Sequence, residues 1–413
     1  MSNTFNILMY SHDSYGLGHI RRTLAIASQL RRPNVNILIL TGSPIAGRFD
    51  FPEQVDFVRI PGMIKKSNDL YLPHSIRIEA QEAMSIRQSL IKATAKAFEP
   101  DLFVVDKAPL GLKREVIPAL KWLRNTSEIS CRTVLGLRDI MDDAQSTIED
   151  WRSKRIYDAL EKYYSEIWVY GHREMYDPIK EYEIPESISQ KMVFTGYLPR
   201  KPLIDGHEFH KGMSANSLGG NGNGVNCNGG AGIGGLKEKR VLVTTGGGGD
   251  GYKLMDVYLR MLEAWPAGHR SVVVTGPFMP TPERKDIAAR AKKLGVRYYH
   301  FCRQMEQLMA SADLVVSMGG YNTVCEILSQ RKVSLIVPRE TPRLEQLIRA
   351  RVLNAKGLVD YLVWQELSPD RLRDKITALL SDPQPYVEAV QNFRFTGLEV
   401  MRQRLAAFQT GAA

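Results

Sequence analysis

The sequence has few cysteines and no long apolar run, and each absence excludes a class of protein. Its 4 cysteines are Cys131, Cys227, Cys302 and Cys325. Because none of them forms a CxxC pair, the spacing predicts neither a disulfide framework nor a zinc site. No stretch reaches the ~18 uninterrupted apolar residues of a membrane span, and the polar start MSNTFN does not resemble a signal peptide. We therefore expect a soluble, cytoplasmic protein with reduced thiols.

Motifs for nucleic acids and metals are also missing. The formal net charge of +10 predicts anionic partners, such as nucleic acid, an acidic membrane surface or phosphorylated substrates. Lys and Arg lie in short pairs along the chain, without a basic tail or a recognisable nucleic-acid-binding motif, so phosphorylated substrates or lipid head groups are favoured. No DxD-type metal motif is evident. We expect no nucleic acid partner, no metal and no cofactor.

The stretch from Val315 to Ala350 carries the clearest pattern. It predicts a strand, a Gly-Gly turn, a helix, a second strand ending at Pro338, a polar loop and another helix. Ligands of such parallel units bind where the strands end and the helices begin, which places 319–323 and 339–346 on one rim. Glu326, one helical turn beyond Thr323, could accept hydrogen bonds from two ribose hydroxyls. The alternative is a solvated helix glutamate.

A second glycine loop follows the strand in KRVLVTTGGGGDGYK. Four glycines, Gly246, Gly247, Gly248 and Gly249, stand between this strand and an amphipathic helix. Backbone N–H groups approach a diphosphate closely only where side chains are absent, so the loop favours diphosphate contact. A tight structural turn is the alternative, and the loop lacks the GxGxxG spacing of a dinucleotide site.

The N-terminal segment NILMYSHDSYGLGHIRR predicts a strand, a glycine loop and a helix. We expect its loop to lie on the acceptor side of a site, with His12, Asp13, Gly16, Gly18, Arg21 and Arg22. His19 stands at the helix start, where a neutral imidazole can take a proton from a hydroxyl, and it is our candidate for the catalytic base. A surface or helix-capping histidine would explain the pattern as well.

Repeated buried strands and helices predict two domains with parallel sheets. With 413 residues and a 44% hydrophobic composition, the chain is too long for one ordinary core. Asp106 ends one of these strands and is a candidate catalytic residue, although a loop cap is the alternative. Arg138 with Asp139 ends another strand and could also touch an acceptor.

A glycine- and asparagine-rich segment separates the two predicted domains. Residues 211–236 cannot bury enough apolar surface to order themselves, so we expect a flexible insert that is dispensable for chemistry. A phosphate loop is the sharper hypothesis, but no strand precedes the segment and no GKS or GKT follows it. The predicted boundaries are 1–206 for the first domain and 237–391 for the second.

The motifs GLGH, TGGGG, GGYNTVCE and EQLIRA together resemble the family 28 glycosyltransferases. The resemblance implies the GT-B architecture, in which two Rossmann-like domains face each other across a cleft and the last helix, about 392–413, crosses back to the first domain. It also implies a nucleotide-sugar donor, with Glu326 on the ribose of UDP and Glu345 with Gln346 facing the sugar. The implied donor-binding residues are Gly246, Gly247, Gly248, Gly249, Phe301, Arg303, Gly319, Gly320, Asn322, Thr323, Glu326, Glu345 and Gln346.

The resemblance further implies an inverting, metal-independent transfer of a hexose-type sugar. The family's bacterial cell-wall enzyme transfers N-acetylglucosamine from UDP to a lipid-linked sugar. This chain departs from it at Glu345, where that enzyme has a glutamine, and at Arg21 and Arg22, which indicate a different, lipid-linked or phosphorylated acceptor. The alternative for the two arginines is a solvated basic face. Peripheral contact with the inner face of a membrane is then expected.

Two other functions fit the same motifs. A nucleotide-sugar hydrolase or epimerase would keep the fold while water or a deprotonated sugar replaced the acceptor. A non-catalytic nucleotide-sugar sensor would keep the donor site and predict binding without turnover.

Overall fold

The computed structural model describes residues 4–12, 18–44, 46–48, 51–65, 70–126, 130–200, 238–266, 268–302 and 304–411. The chain divides into two compact units, one formed by 1–198 with 394–413 and the other by 199–393. The glycine- and asparagine-rich segment at 211–236 lies outside the described residues. None of the helices in the described ranges combines the length and apolarity needed to cross a bilayer.

The first unit is built around a seven-stranded sheet in which every neighbouring pair is parallel. Numbered along the chain, its strands are β1 (Phe5–Ser11), β2 (Val35–Thr41), β3 (Val55–Arg59), β6 (Leu102–Asp106), β7 (Arg132–Arg138), β8 (Glu166–Tyr170) and β9 (Met192–Phe194). Their order in the sheet is β3-β2-β1-β6-β7-β8-β9. A short antiparallel hairpin is formed by β4 (Met63–Lys65) and β5 (Tyr71–Pro73).

Seven helices of the described residues connect these strands. They are α1 (Gly18–Leu30), α2 (Ala80–Phe98), α3 (Ile117–Asn125), α4 (Ala144–Ser153), α5 (Ile156–Tyr163), α6 (Pro178–Glu181) and α7 (Glu186–Ser189). The central strands β6 and β8 are buried at every position, as their apolar composition predicts for parallel strands covered on both faces.

The second unit has a six-stranded parallel sheet of the same design. Its strands are β10 (Arg240–Thr244), β11 (Arg270–Val274), β12 (Arg297–Tyr299), β13 (Leu314–Ser317), β14 (Val333–Ile336) and β15 (Asp360–Tyr361). Their order is β12-β11-β10-β13-β14-β15. Its described helices are α8 (Tyr252–Ala264), α9 (Thr281–Lys293), α10 (Met305–Ala310), α11 (Tyr321–Ser329), α12 (Glu345–Ala355), α13 (Pro369–Ser381) and α14 (Gln384–Asn392).

The last helix, α15 (Gly397–Thr410), belongs to the first unit. It packs beside α1, and Phe408 stacks on the fully buried Trp168 of β8 with ring centroids 6.4 Å apart. Arg404 forms an ion pair with Glu166 on the same strand. The predicted α/β class, with two parallel-sheet domains and a final helix returning to the first, is therefore confirmed.

Each sheet contains one point where the strand order reverses. In the first unit the reversal lies between β1 and β6, and in the second between β10 and β13. The chain leaves neighbouring strands in opposite directions there, so a crevice opens at their carboxyl ends. Both predicted glycine-loop regions begin at these points.

The prediction that all cysteines are reduced is wrong for one of them. Cys131 and Cys325 form no disulfide, whereas Cys302 is disulfide-bonded. The spacing of cysteines along a chain does not fix which thiols meet in the fold, because a long loop closes at little more entropic cost than a short one.

Candidate functional site

The reversal point of the first sheet gathers the titratable groups of the N-terminal half. β1 ends at Ser11, so His12 leaves the carboxyl end of that strand, and the neighbouring β6 ends on Asp106. α1 begins at Gly18 and carries His19 in its first turn. The rings of His12 and His19 meet edge to face, with centroids 5.8 Å apart.

His19 is bound to Asp106 in an almost fully buried pair. Its Nδ1 lies 2.7 Å from Asp106 Oδ2, and both residues are less than 10% exposed. Arg22, one turn further along α1, donates from Nε to Asp106 Oδ1 at 3.0 Å and from Nη2 to Oδ2 at 2.7 Å. A carboxylate paired with a guanidinium accepts hydrogen bonds only, so Nδ1 of His19 carries the proton and donates it.

This tautomer leaves the lone pair of His19 Nε2 as the free basic site. Arg22 Nη2 also approaches His19 Nδ1 at 2.9 Å, but a protonated Nδ1 cannot accept, so we regard that approach as a close contact rather than a hydrogen bond. No residue in the described ranges hydrogen-bonds to Nε2. In catalytic triads a carboxylate likewise accepts a hydrogen bond from one ring nitrogen and so holds the imidazole in one tautomer.

Burial sets the charge state of His19, and contacts with Arg22 and His19 set that of Asp106. Burial lowers the pKa of His19 to about 3, and the hydrogen bond to Asp106 offsets only part of that decrease. Burial alone would raise the pKa of Asp106, but the contacts with Arg22 and His19 outweigh it and hold the pKa far below its ordinary value. At neutral pH the histidine is therefore neutral and the aspartate ionised.

Two expectations about this region need correction. Arg22 is 0% exposed and occupied by Asp106, so it lies neither on a solvated basic face nor where an acceptor could reach it. Asp139 is also 0% exposed; its two carboxyl oxygens accept from the amide of Ile140 and from the hydroxyl of Tyr197. The place of Asp139 directly after a strand suggested accessibility, but both side chains are buried inside the first unit.

Asp106 likewise differs from the expectation of a residue that touches an acceptor. Both of its carboxyl oxygens are taken by Arg22 and His19, so it orients the histidine instead. Arg21 is half-buried. Gly18 opens α1, while Asp13 and Gly16 lie outside the described residues.

The reversal point of the second sheet brings its two glycine segments together. Gly246 and Gly248 have positive φ angles of 66° and 90°. A Cβ on Gly246 would lie 3.2 Å from Thr323 Oγ1, so the loop after β10 adjoins the start of α11. A Cβ on Gly248 would lie only 2.1 Å from the carbonyl oxygen of Thr275, which admits no side chain. Gly247 and Gly249 are exposed.

Among the helices of this unit that begin without a side-chain cap at the carboxyl end of the sheet are α8, α11 and α12. α8 follows Gly251, α11 follows Gly320, and α12 follows Leu344. The first N–H groups of such helices have no intrahelical acceptor and lie at the positive end of the helix dipole. They are suited to bind the oxygens of a diphosphate.

Buried polar side chains fix the first turns of α11. Glu326 is only 7% exposed, so the solvated alternative is excluded. Asn322 accepts from Arg200 Nη2 at 2.6 Å, and Arg200 is itself 5% exposed. Gly319 accepts from the fully buried Arg349 at 3.3 Å. The guanidinium groups therefore orient the turn that precedes the helix.

Arg339, which the sequence placed on the predicted rim but not among the donor-binding residues, connects the glycine loop to α12. Its Nε lies 2.7 Å from Asp250 Oδ2, and its Nη2 lies 3.3 Å from Glu345 Oε1. Its amide donates to Gln346 Oε1 at 3.2 Å. The predicted donor-side residues Glu345 and Gln346 are thus held beside the glycine loop. An arginine directly after a strand-ending proline is the signal that could have identified it.

The segment expected to meet a nucleobase is only partly described. Phe301 is half-buried in the chain after β12, and Arg303 lies outside the described residues. A cavity of about 530 Å³ lies at the opposite, amino ends of β10, β11 and β12, with Arg240, Arg270 and Arg297 in its wall. We place the site at the carboxyl ends, because the glycine loop and uncapped helices are there.

Comparison with known proteins finds sequence similarity in the second half of the chain. Residues 241–403 match the Glycosyltransferase family 28 C-terminal domain. An 89-residue segment is 35% identical to the UDP-N-acetylglucosamine--N-acetylmuramyl-(pentapeptide) pyrophosphoryl-undecaprenol N-acetylglucosamine transferase of Streptococcus equi subsp. equi, covering 21% of this chain and 25% of that protein. The enzyme of the same name from Streptococcus pneumoniae is 40% identical over 83 residues, which are 20% of this chain and 24% of that protein. The alignments thus span about a quarter of these relatives.

Solved structures resemble the whole chain in fold. MurG of Acinetobacter baumannii superposes with a TM-score of 0.58 at 13% identity, covering 98% of this chain and 99% of that chain. The calicheamicin glycosyltransferase CalG4 gives 0.59 at 16% identity, with both chains covered completely. A UDP-N-acetylglucosamine 2-epimerase gives 0.60 at 12% identity, covering 100% and 98%. These likenesses show the GT-B fold.

Proposed function

We propose that this chain, a distant relative of the family 28 glycosyltransferases, is itself a glycosyltransferase that moves a hexose-type sugar from a nucleotide diphosphate to a hydroxyl. The observation that carries the proposal is the pairing of a buried, neutral His19 with Asp106 in the first unit, while the second unit carries the family's C-terminal domain. The first unit supplies the base and the second holds the donor.

His19 acts as the general base. Its Nε2 takes the proton of the acceptor hydroxyl as that oxygen attacks the anomeric carbon, and the bond from this carbon to the diphosphate breaks. Asp106 accepts from Nδ1 and stabilises the imidazolium that forms, as the third member of a triad does. A single displacement of this kind inverts the anomeric configuration.

The second unit binds the leaving nucleotide. The glycine loop at 246–249 and the uncapped starts of α8 and α11 stabilise the developing diphosphate charge, so the reaction needs no metal. Glu326 holds the ribose, while Glu345 and Gln346, fixed by Arg339, face the sugar. UDP is the proposed nucleotide and N-acetylglucosamine the first sugar to test, since the similar streptococcal enzymes are named for that donor.

The acceptor is proposed to be lipid-linked, with the protein peripheral at the inner face of a membrane. The large exposed apolar side chains of the described residues belong to the β4–β5 hairpin, the chain after it and α2; they are Leu70, Leu72, Ile76, Ile86 and Leu90. The hairpin contacts α2, and Met63, Ala83 and Leu112 form a small core there, so the segments that carry these side chains are neighbours. Exposed apolar side chains on neighbouring segments suit an interfacial region of a bilayer.

Release of nucleotide from a panel of donors tests the proposal. UDP-N-acetylglucosamine, UDP-glucose and a GDP-sugar are each incubated with alkyl glycosides and with short polyprenyl diphosphate sugars, and free nucleotide and glycoside products are measured. We expect nucleotide release that depends on acceptor and yields a new glycoside of inverted configuration. Nucleotide binding without any product would overturn the proposal and support the sensor.

A 2-epimerase or hydrolase is the second candidate, because UDP-N-acetylglucosamine 2-epimerases share the fold with TM-scores of 0.60 and 0.58. These enzymes need no separate acceptor. UDP or an epimerised sugar formed from donor alone, at the same rate with and without acceptors, would favour this function over transfer.

A further inference from the structure

A second buried network ends on His12, beside the His19–Asp106 pair. Tyr10 and His12 are two residues apart on β1 and its continuation, so their side chains lie on the same face of the sheet. Tyr10 donates its hydroxyl proton to Glu115 Oε1 at 2.5 Å. Glu115 is clamped by Arg87 of α2, with Nε and Nη2 each 2.5 Å from a carboxyl oxygen.

The ion pair at the base of this network is completely enclosed. The side chains of Arg87 and Glu115 are 1% and 0% exposed. Taking both charges out of water is costly, and replacing such a pair by apolar residues is often neutral or stabilising. What the pair does in this fold is to fix the carboxylate that accepts the proton of Tyr10.

Counting protons assigns the tautomer of His12. The single hydroxyl proton of Tyr10 is directed to Glu115, so the Tyr10 oxygen acts as an acceptor towards its other neighbours. The amide of Leu112 donates to it at 3.2 Å, and His12 Nδ1 lies 3.3 Å away. His12 must then carry its proton on Nδ1 and donate it to Tyr10. Burial holds the pKa of His12 well below its ordinary value, so the ring is neutral.

The two histidines consequently present the same chemistry. Both are protonated on Nδ1, and both keep a lone pair on Nε2 that meets no hydrogen-bond donor in the part of the chain that the structure describes. Their ring centroids are 5.8 Å apart. A pair of neutral acceptors attracts two O–H donors and gives no charge attraction to a phosphate.

We propose that His12 is a second residue in contact with the acceptor, and that its Nε2 accepts a hydrogen bond from a hydroxyl next to the one that His19 deprotonates. The acceptor is thus a polyhydroxylated ring with two neighbouring hydroxyls at the reacting end. Tyr10, Glu115 and Arg87 are positioning residues that fix the tautomer. The inference rests on the proposed function, and one proton moves, from the reacting hydroxyl to His19.

The tautomer is tested without any substrate. The intact protein is labelled with ¹⁵N-histidine, and the signals are assigned with His12→Gln and His19→Gln. We expect the wild-type His12 ring to show the Nδ1–H form, and Tyr10→Phe to return it towards the Nε2–H form that is usual in water. An Nε2–H ring in the wild type, or no change in Tyr10→Phe, would overturn the assignment.

Tyr10→Phe keeps the Arg87–Glu115 pair intact, and Tyr157→Phe is the matched control. Tyr157 also loses one hydroxyl hydrogen bond, to the carbonyl oxygen of Tyr182 at 2.8 Å, without touching either histidine. The His12 signals of Tyr157→Phe should equal those of the wild type. The same change in both variants would assign the effect to general loosening of the first unit.

Deoxy acceptors test the contact itself. An alkyl glycoside that the wild type uses as an acceptor is compared with its analogue that lacks the neighbouring hydroxyl. In the wild type the analogue should have a kcat/KM about 10- to 100-fold lower, the usual effect of a lost hydrogen bond in a transition state. In His12→Phe both acceptors should react equally slowly. Undiminished discrimination in His12→Phe would overturn the contact, whereas absent transfer with the Nδ1–H tautomer intact would overturn only the proposed function.

Discussion

At the residue scale, the two buried neutral histidines make stability depend on pH. Unfolded His12 and His19 regain their ordinary pKa of about 6.5, whereas both folded values lie lower. The unfolded state therefore binds more protons as the pH falls below about 6.5, and the free energy of unfolding decreases.

We expect this decrease to be about 1.4 kcal/mol per pH unit for each histidine between pH 6 and the folded pKa. Urea unfolding from pH 8 to pH 4 measures it, and His12→Gln with His19→Gln should flatten the slope. Burial also lowers the pKa values of His269 and His300, so the double variant should retain a smaller slope of the same sign. An unchanged slope in the double variant would show that the rings are already protonated in the fold.

Glu326 gives the corresponding prediction for the second unit. Glu326→Ala should weaken UDP binding by about 1 to 3 kcal/mol, because a charge-assisted pair of hydrogen bonds to the ribose is lost. Calorimetric titration of UDP measures the change, and Glu366→Ala, an exposed glutamate of the same unit, serves as the control. Equal affinities in wild type and Glu326→Ala would limit Glu326 to packing α11.

The sequence identified candidate site residues but not the buried charged residues that pair with them. Asp106 was identified by its place at a strand end, yet Arg22 and Arg87 were not recognised as buried. The signal for Arg87 was present, because it occupies the position of α2 that lies between the buried Ala83 and Ile91 at four-residue spacing. A charged residue on an apolar stripe indicates a buried partner, but only the fold identifies that partner as Glu115.

At the scale of elements, glycine loops and helix starts form the donor side of the proposed site. Gly248→Ala should disrupt the loop after β10, because its φ of 90° is unfavourable for alanine and the new Cβ would clash with Thr275. We expect UDP affinity to fall at least about tenfold and the melting temperature of the second unit to decrease. Gly268→Ala is the control, since nothing lies within 4 Å of its added Cβ. Wild-type UDP affinity in Gly248→Ala would remove this loop from the binding site.

The long apolar strands were predictable from composition alone, whereas the smaller elements were not. LFVVD, VLVT and LVVS are buried at nearly every position, and their apolar runs identify them as central parallel strands. The β4–β5 hairpin has three-residue strands whose side chains alternate too briefly to give a periodic signal. Its existence depends on packing against α2, which is a tertiary contact.

At the scale of the whole molecule, the proposed function divides the chemistry between two units of the same design. Each unit places the residues of the proposal where its strand order reverses, with the proposed base in the first and the proposed donor site in the second. The return of α15 to the first unit was predicted from the family resemblance, because no local sequence pattern indicates it. Its contacts, Phe408 on Trp168 and Arg404 on Glu166, join positions more than 230 residues apart.

His19→Ala tests this division most directly, with turnover and UDP affinity measured on the same preparation. The account predicts that transfer falls about 100- to 10,000-fold, the range typical of the loss of a general base, while the calorimetric affinity for UDP stays within about twofold of wild type. Transfer at the wild-type rate would contradict the assignment of His19 as the base. An equal loss of UDP affinity would contradict the division between the two units.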